Sequence, residues 1–224
     1  MSMLSNLELI RRVPLFALLT SNQAEAVADA VVKRRFKRGE TIVEQGEKTN
    51  TLFIILTGRV RVVTSDKRGR EVILATLNPG DYIGEMSLID NEPHSATCRA
   101  EVQTDMLTLG RAEFARCLPE NSSMSYAIMK GLVQRLRQAD RKIESLALMD
   151  VYGRVARALL EFAQPDREGL MTIRERISRQ DIAKMVGASR EMVSRVMKDL
   201  EDRGFIETRE DGSMLVKDRL TTLG

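Results

Sequence analysis

Apolar or small residues recur at Met129, Leu132, Leu136, Ala139, Ile143 and Leu146, within the stretch from Ser122 to Asp150. The spacings are 3, 4, 3, 4 and 3. They trace a heptad seam along one side of a helix about eight turns long. Lys130, Arg135, Arg137, Asp140, Arg141, Lys142 and Glu144 fill the rest of its surface. A stripe that narrow suits a partner helix better than a broad core. The helix is therefore read as a dimer seam (Met129, Leu132, Leu136, Ile143, Leu146) and as the rod joining the N-terminal and C-terminal parts of the chain. The competing reading packs it on its own domain.

Composition narrows the rest. A chain of 224 residues has room for one large or two modest domains. At 43% hydrophobic and 30% charged it is globular. A net charge of +3 is too small to imply a polyanion partner, so the local distribution has to decide. Cys98 and Cys117 have no metal-ligand spacing and imply no disulfide framework. With His94 the one histidine, no metal centre is expected. The apolar run Val13 to Leu19 is too short for a signal peptide, and nothing approaches the ~18 residues of a membrane span. The expectation is a soluble, cytoplasmic protein with no membrane partner.

Residues 1–30 read as short helices, one of them capped by Ser21. From Val31 the period shortens to that of strands: 31–36, 41–44, 52–56, 60–64, 72–77, 95–102 and 106–109, separated by Gly39, Gly46, Gly58, Gly69 and Pro79-Gly80. Such spacing predicts a small barrel or sandwich. It should end near Pro119, where Asn121 and Ser122 offer caps for the central helix. The expected class is α+β, with domains at 1–120, 121–150 and 151–224.

One segment interrupts the strands: Gly80-Asp81-Tyr82-Ile83-Gly84-Glu85-Met86-Ser87-Leu88-Ile89, then Asn91 to Ala96. A helical turn opened by Gly84 would expose free N–H groups suited to a phosphate. Glu85 could accept from sugar hydroxyls. A glycine turn with a capping glutamate explains the same residues without a ligand.

Beyond the rod, Leu148 to Arg154 reads as a hinge, with Gly153 inside a helical pattern that resumes through Val155, Leu159 and Phe162 until Pro165 stops it. Ser178 and Asp181 form a capping box for a short helix, which Gly187 ends; Ser189 caps a second. Ile182, Ala183 and Val186 would face Val193, Val196 and Leu200, giving a helix-turn-helix. Asp211-Gly212 between two short apolar runs signals a hairpin, hence a wing. Residues 174–198 carry seven Arg/Lys against three Asp/Glu; 199–211 carry two against six. The positive charge thus sits on the helix pair, where phosphates would lie. Arg190, Glu191 and Arg195 open the second helix on its exposed face, with the chemistry to read guanine and cytosine edges.

Leu77 to Glu85, Ser95-Ala96, Leu146 to Arg154 and Ser189 to Arg195 together resemble the Crp–Fnr superfamily of transcription regulators, over nearly the full length. Within it the cyclic-AMP receptor branch looks most similar. The resemblance implies an N-terminal β-roll sensor, a dimerising helix and a winged helix-turn-helix. It implies base contacts from Arg190, Glu191 and Arg195 and backbone contacts from Arg179, Gln180, Ser189 and Lys198, on pseudo-palindromic DNA with TGA-type half-sites. Ser194 resembles the serine of the Fnr branch and leaves the outer base open. The implied ligand set is Gly84, Glu85, Met86, Ser87, His94, Ser95, Ala139 and Asp140. It departs from the family at His94, where an arginine is usual, and at Ala139 and Asp140, where hydroxyls are usual. Cyclic AMP and cyclic di-GMP both stay open as ligands, as does a ligand-free regulator. The implied partners are double-stranded DNA, a second copy of the chain and RNA polymerase. A regulatory subunit of a partner enzyme is the alternative class. An enzyme is not expected, since the chain shows neither a nucleophile elbow nor a metal cluster.

Overall fold

The computed structural model describes residues 5–17, 19–66, 69–117, 122–166, 168–209, 211–217 and 220. The chain divides into two compact units, Met1–Leu136 and Arg137–Gly224, so the division falls inside the long helix.

The first unit opens with α1 (Asn6–Ile10), a 3-10 turn at Pro14–Phe16 and α2 (Ser21–Ala30). The cap of α2 is Thr20, not Ser21. Thr20 Oγ1 accepts from the Gln23 N–H while Gln23 Oε1 accepts from the Thr20 N–H. This reciprocal box satisfies two free donors, which Ser21 could not do. Eight strands come next: β1 (Val32–Phe36), β2 (Thr41–Val43), β3 (Thr51–Thr57), β4 (Val60–Ser65), β5 (Glu71–Leu77), β6 (Tyr82–Ile83), β7 (Thr97–Ala100) and β8 (Thr104–Gly110). A short helix, α3 (Glu85–Asp90), separates β6 from β7. After β8 come α4 (Arg111–Cys117) and α5 (Ser122–Leu148). Pro119 and Asn121, expected at the domain end and helix cap, lie outside the described residues.

The strands form two antiparallel sheets, ordered β1-β8-β3-β6 and β2-β7-β4-β5. Strand β3 shows why. Its Leu-Phe-Ile-Ile run is buried on both faces. Leu52 and Ile54 pack with the helices beside Phe16, Val27, Phe114 and Ile128. Phe53 and Ile55 point the other way, into the space between the sheets with Phe36, Val60, Cys98 and Met106. Alternation on a pleated strand thus joins one core to the next.

The second unit takes the rest of α5, then α6 (Val151–Phe162), β9 (Gln164–Pro165), β10 (Met171–Ile173), α7 (Arg179–Val186), α8 (Arg190–Asp202), β11 (Ile206–Thr208) and β12 (Met214–Val216). The expected hairpin is β11–β12, with Gly212 at φ +82. It belongs to a larger sheet, ordered β11-β12-β10-β9. Ile182, Ala183, Val186, Val193, Val196 and Leu200 form the buried set expected for the helix pair, together with Met197. Gly187 closes α7 at φ +64, which suits a residue without Cβ. The expected hinge narrows to Met149 and Asp150. Asp150 caps α6, its carboxylate accepting from the Gly153 N–H at 2.8 Å.

Candidate functional site

In the first unit the site forms around α3. Gly84 sits at φ +95, and a Cβ there would lie 2.5 Å from the Thr51 carbonyl oxygen. Only glycine fits both the backbone and the space. The turn brings Glu85 and Ser87 inside, 1% and 3% exposed, and leaves Met86 outward. Arg111 fastens the far end of α3, donating to the Ser87 carbonyl and to Asn91 Oδ1 at 2.9 and 3.0 Å.

Glu85 already has a partner that sequence reasoning missed. Arg135, on α5, donates to Glu85 Oε1 and to the Tyr82 carbonyl, and its guanidinium lies over the Tyr82 ring, 5.0 Å from the centroid. Burial pushes the Glu85 carboxyl above its usual range, against the pull of Arg135. Arg135 looked like one surface charge among seven. Its signal was the second line on the helix: Ile128, Leu132 and Arg135 are spaced by 4 and 3. Tyr82 braces this line, its hydroxyl donating to the Ile128 carbonyl at 3.3 Å.

His94 comes close to Gly84, whose added Cβ would stand 3.9 Å from His94 Cε1. The imidazole is buried, and its Nε2 shares a 2.8 Å hydrogen bond with Thr49 Oγ1. Burial lowers its pKa, with nearby Glu47 pulling the other way. It is therefore a neutral, engaged side chain at pH 7. Ser95 beside it is exposed. Cys98, in the sheet behind, is pushed up to about 12 by burial and stays a thiol. Ala139 and Asp140 fall in the second unit, both exposed on α5.

The seam residues separate into two groups. Met129, Leu136, Ile143 and Leu146 are each more than half exposed, and Val133 joins them at 49%. Leu132 differs from the expectation: it packs against the core of its own unit, beside Ala127 and buried Ile128. The N-terminal half of α5 therefore serves its own domain on one line and leaves another open.

In the second unit, Ser178 caps α7 through the Asp181 N–H at 3.0 Å, and Ser189 caps α8 through the Met192 N–H at 3.1 Å. Arg190, Glu191, Arg195 and Lys198 are exposed at i, i+1, i+5 and i+8, so they share one face of α8. Ser194 shares it too, but its hydroxyl donates to the Arg190 carbonyl at 2.9 Å. Gln180 is exposed and Arg179 half-buried at the start of α7. Arg154 was also missed as a structural tie. It donates from Nε to the Val186 carbonyl and from Nη1 to the Met149 carbonyl, at 2.9 and 3.0 Å. Among the described residues no group of three or more metal-ligating side chains comes together, and no helix is long and apolar enough to cross a membrane.

Comparison with known proteins places both halves. Residues 33–121 match the cyclic nucleotide-binding domain, and residues 153–220 match the Crp-like helix-turn-helix domain. The cAMP-activated global transcriptional regulator Vfr of Pseudomonas aeruginosa is 38% identical over 79% of this chain and 86% of its own. The cAMP-activated regulator CRP of Salmonella typhimurium is 35% identical over 77% of this chain and 83% of its own. Among solved structures, the c-di-GMP-responsive global regulator CLP of Xanthomonas campestris superposes with a TM-score of 0.75 at 26% identity, covering 88% of this chain and 98% of its own. These relatives are transcription regulators, not enzymes. A cyclic nucleotide-binding domain, a long helix and a winged helix-turn-helix in this order, with that similarity along the chain, make it a member of the Crp–Fnr family of transcription regulators.

Proposed function

We propose that the chain is a homodimeric, sequence-specific DNA-binding regulator of transcription, acting in the cytoplasm with RNA polymerase as its partner. The exposed face of α8 carries this reading: a capped helix presenting Arg190, Glu191 and Arg195 beside one another at its first turns. Arginine forks onto guanine O6 and N7, and glutamate accepts from cytosine N4. Arg179, Gln180, Ser189 and Lys198 would meet phosphates, fixing register on pseudo-palindromic DNA with TGA-type half-sites. Two copies joined along α5 would set their recognition helices about 34 Å apart, one turn of DNA. In this reading residues 1–120 sense, 121–150 dimerise and 151–224 read DNA.

Control comes from a ligand in the first unit, by population shift. Vfr and CRP answer to cyclic AMP and CLP to cyclic di-GMP by their names, so both classes stand. Glu85 would accept from a ribose hydroxyl and the α3 turn, with Gly84, Met86, Ser87 and Ser95, would face phosphate. An anion entering there would compete with Glu85 for Arg135, and so report directly to α5. Neutral His94 adds no charge, so cyclic AMP binds weakly. His94→Arg raises its affinity roughly ten- to a hundredfold, the worth of one charge-assisted hydrogen bond. The Glu85–Arg135 pair also supports a second reading, in which it pins α5 with no ligand at all.

Two measurements test this. Calorimetry of the purified protein with cyclic AMP, cyclic GMP and cyclic di-GMP names the ligand; no heat with any of them, alongside intact operator binding, favours the ligand-free reading. Tight cyclic AMP binding unaffected by His94→Ala would overturn the role given to His94. For DNA, Arg190→Ala relaxes the preference at one base and costs about 1–3 kcal/mol per half-site. Lys198→Ala weakens all sequences alike. Equal weakening of all sequences by Arg190→Ala would make Arg190 a phosphate contact.

A further inference from the structure

The chain from Gly46 to Thr51 stands behind both sides of the sensor site. On one side it holds His94. The Gly46 N–H donates to the His94 carbonyl at 2.9 Å, the His94 N–H donates to the Glu47 carbonyl at 2.8 Å, and Thr49 meets the ring. On the other side the Thr51 carbonyl lies against Gly84 and leaves no room for a Cβ there. Arg111, the first residue of α4, joins this brace to the far end of α3. Its N–H donates to the Asn50 carbonyl at 2.9 Å and its Nε to Asn50 Oδ1 at 3.0 Å. Its Nη2 donates to the Ser87 carbonyl at 2.9 Å and to Asn91 Oδ1 at 3.0 Å. Asn91 ends α3 at φ +61, the one positive φ outside glycine among the described residues.

Six residues make a helix too short to hold its own direction. At its start stands Gly84, with the freest backbone of any residue type. Leu88 anchors α3 in the core, but a single apolar contact sets no direction. The direction is set at the far end, where Arg111 grips it. We infer that Arg111 is a positioning residue of the sensor site. It holds the turn at residues 84–87 in one setting relative to His94 and Ser95, so that a single ligand meets both sides at once. The inference rests on the ligand reading above. A group held in place beforehand spares the bound state the cost of ordering it, and the saving appears as affinity. Charge is not what the position requires. The side chain of Arg111 donates to neutral oxygens on three residues, Asn50, Ser87 and Asn91, and that spread needs a planar fork.

The test uses the full chain and two probes, cyclic AMP and cyclic di-GMP, each titrated by calorimetry, with the unfolding midpoint of every variant measured alongside. Arg111→Lys keeps the charge and loses the fork. It should weaken whichever probe binds by about three- to tenfold, the worth of one hydrogen bond. Asn91→Gly separates positioning from stability. Glycine takes a φ of +61 at least as readily as asparagine, so the midpoint should hold or rise. The tie to Arg111 is cut all the same, so affinity should still fall, by about threefold. The double variant should lose less than the product of the two single losses, since both cut one tie. A wild type that binds either probe, with both variants binding as tightly, sinks this inference alone. Affinity that falls only in step with the midpoint makes Arg111 a structural brace and overturns the inference as well. A wild type that binds neither probe removes the ligand reading and this one together.

Discussion

His94 can serve the sensor only in the form its surroundings allow. Its main chain is tied to the loop at residues 46–47, donating to the Glu47 carbonyl at 2.8 Å and accepting from the Gly46 N–H at 2.9 Å. Its ring is buried against Thr49. The unfolded chain takes up a proton there near pH ~6.5. The folded chain does so only at lower pH, because burial disfavours the cation. Between the two values the unfolded state holds more protons, so stability falls as the pH drops below ~6.5. The unfolding midpoint of the wild type should therefore fall more between about pH 7.5 and about pH 5.5 than that of His94→Gln. Parallel curves would show that His94 protonates freely in the folded protein. Acid is thus a poor way to charge this site, and cyclic AMP should gain less from low pH than an open imidazole would give it. The position was legible in the sequence as a departure from the family's arginine. Its burial was not, because it depends on a loop some 45 residues away. Arg135 was hidden for a related reason: on a helix covered in charge, nothing local separates the arginine that turns inward from those that face water.

The elements differ in how much of them a sequence can disclose. The helix pair α7–α8 was readable almost to the residue, because its caps, its αL glycine and its apolar spacing are all local. Strands β9 and β10 were not; at two and three residues, one of them proline, they exist only because β12 pairs with β10. The long helix was half-read. Its open line gave most of the heptad, while its inward line was missed: Ile128 and Arg135 were overlooked, and Leu132 was assigned to the seam. Gly131 makes that inward line possible. A Cβ there would stand 2.0 Å from the Tyr82 hydroxyl and 3.0 Å from its Cζ. In an open helix Gly→Ala gains up to about 1 kcal/mol. Here Gly131→Ala should cost about 1–3 kcal/mol in urea denaturation, as overpacking does. Adding Tyr82→Phe should recover part of it by removing the clashing oxygen. A more stable Gly131→Ala would mean that α5 stands off from Tyr82. At the other end, Arg154 gathers the Met149 and Val186 carbonyls, so the break after α5 and the end of α7 move as one. Arg154→Lys cannot fork to both. Operator affinity should fall by about tenfold or more, the worth of one charged hydrogen bond, while circular dichroism stays unchanged. Undiminished affinity would make the tie passive.

At the scale of the whole molecule, the proposal that two chains act as one rests on the open line of α5. Met129, Leu136, Ile143 and Leu146 are 56%, 62%, 64% and 56% exposed in the single chain. Apolar residues this exposed at heptad spacing call for an apolar partner, and a second copy presents the same line. The two lines of the helix give the decisive contrast. Leu136→Glu would set like charges against each other in the seam and leave the β-roll core untouched. Leu132→Glu would set a charge against that core, on a side chain already partly buried there. Sedimentation should therefore report Leu136→Glu as a monomer whose unfolding is otherwise ordinary, and Leu132→Glu as an unstable chain. In the proposed dimer linked readers bind the two half-sites of an operator, so losing the link should weaken operator binding by about 10²–10⁴ without altering which bases are preferred. A Leu136→Glu protein that keeps the dimer mass places the seam elsewhere, and one that dissociates yet holds the operator as tightly as before shows that a single recognition helix suffices.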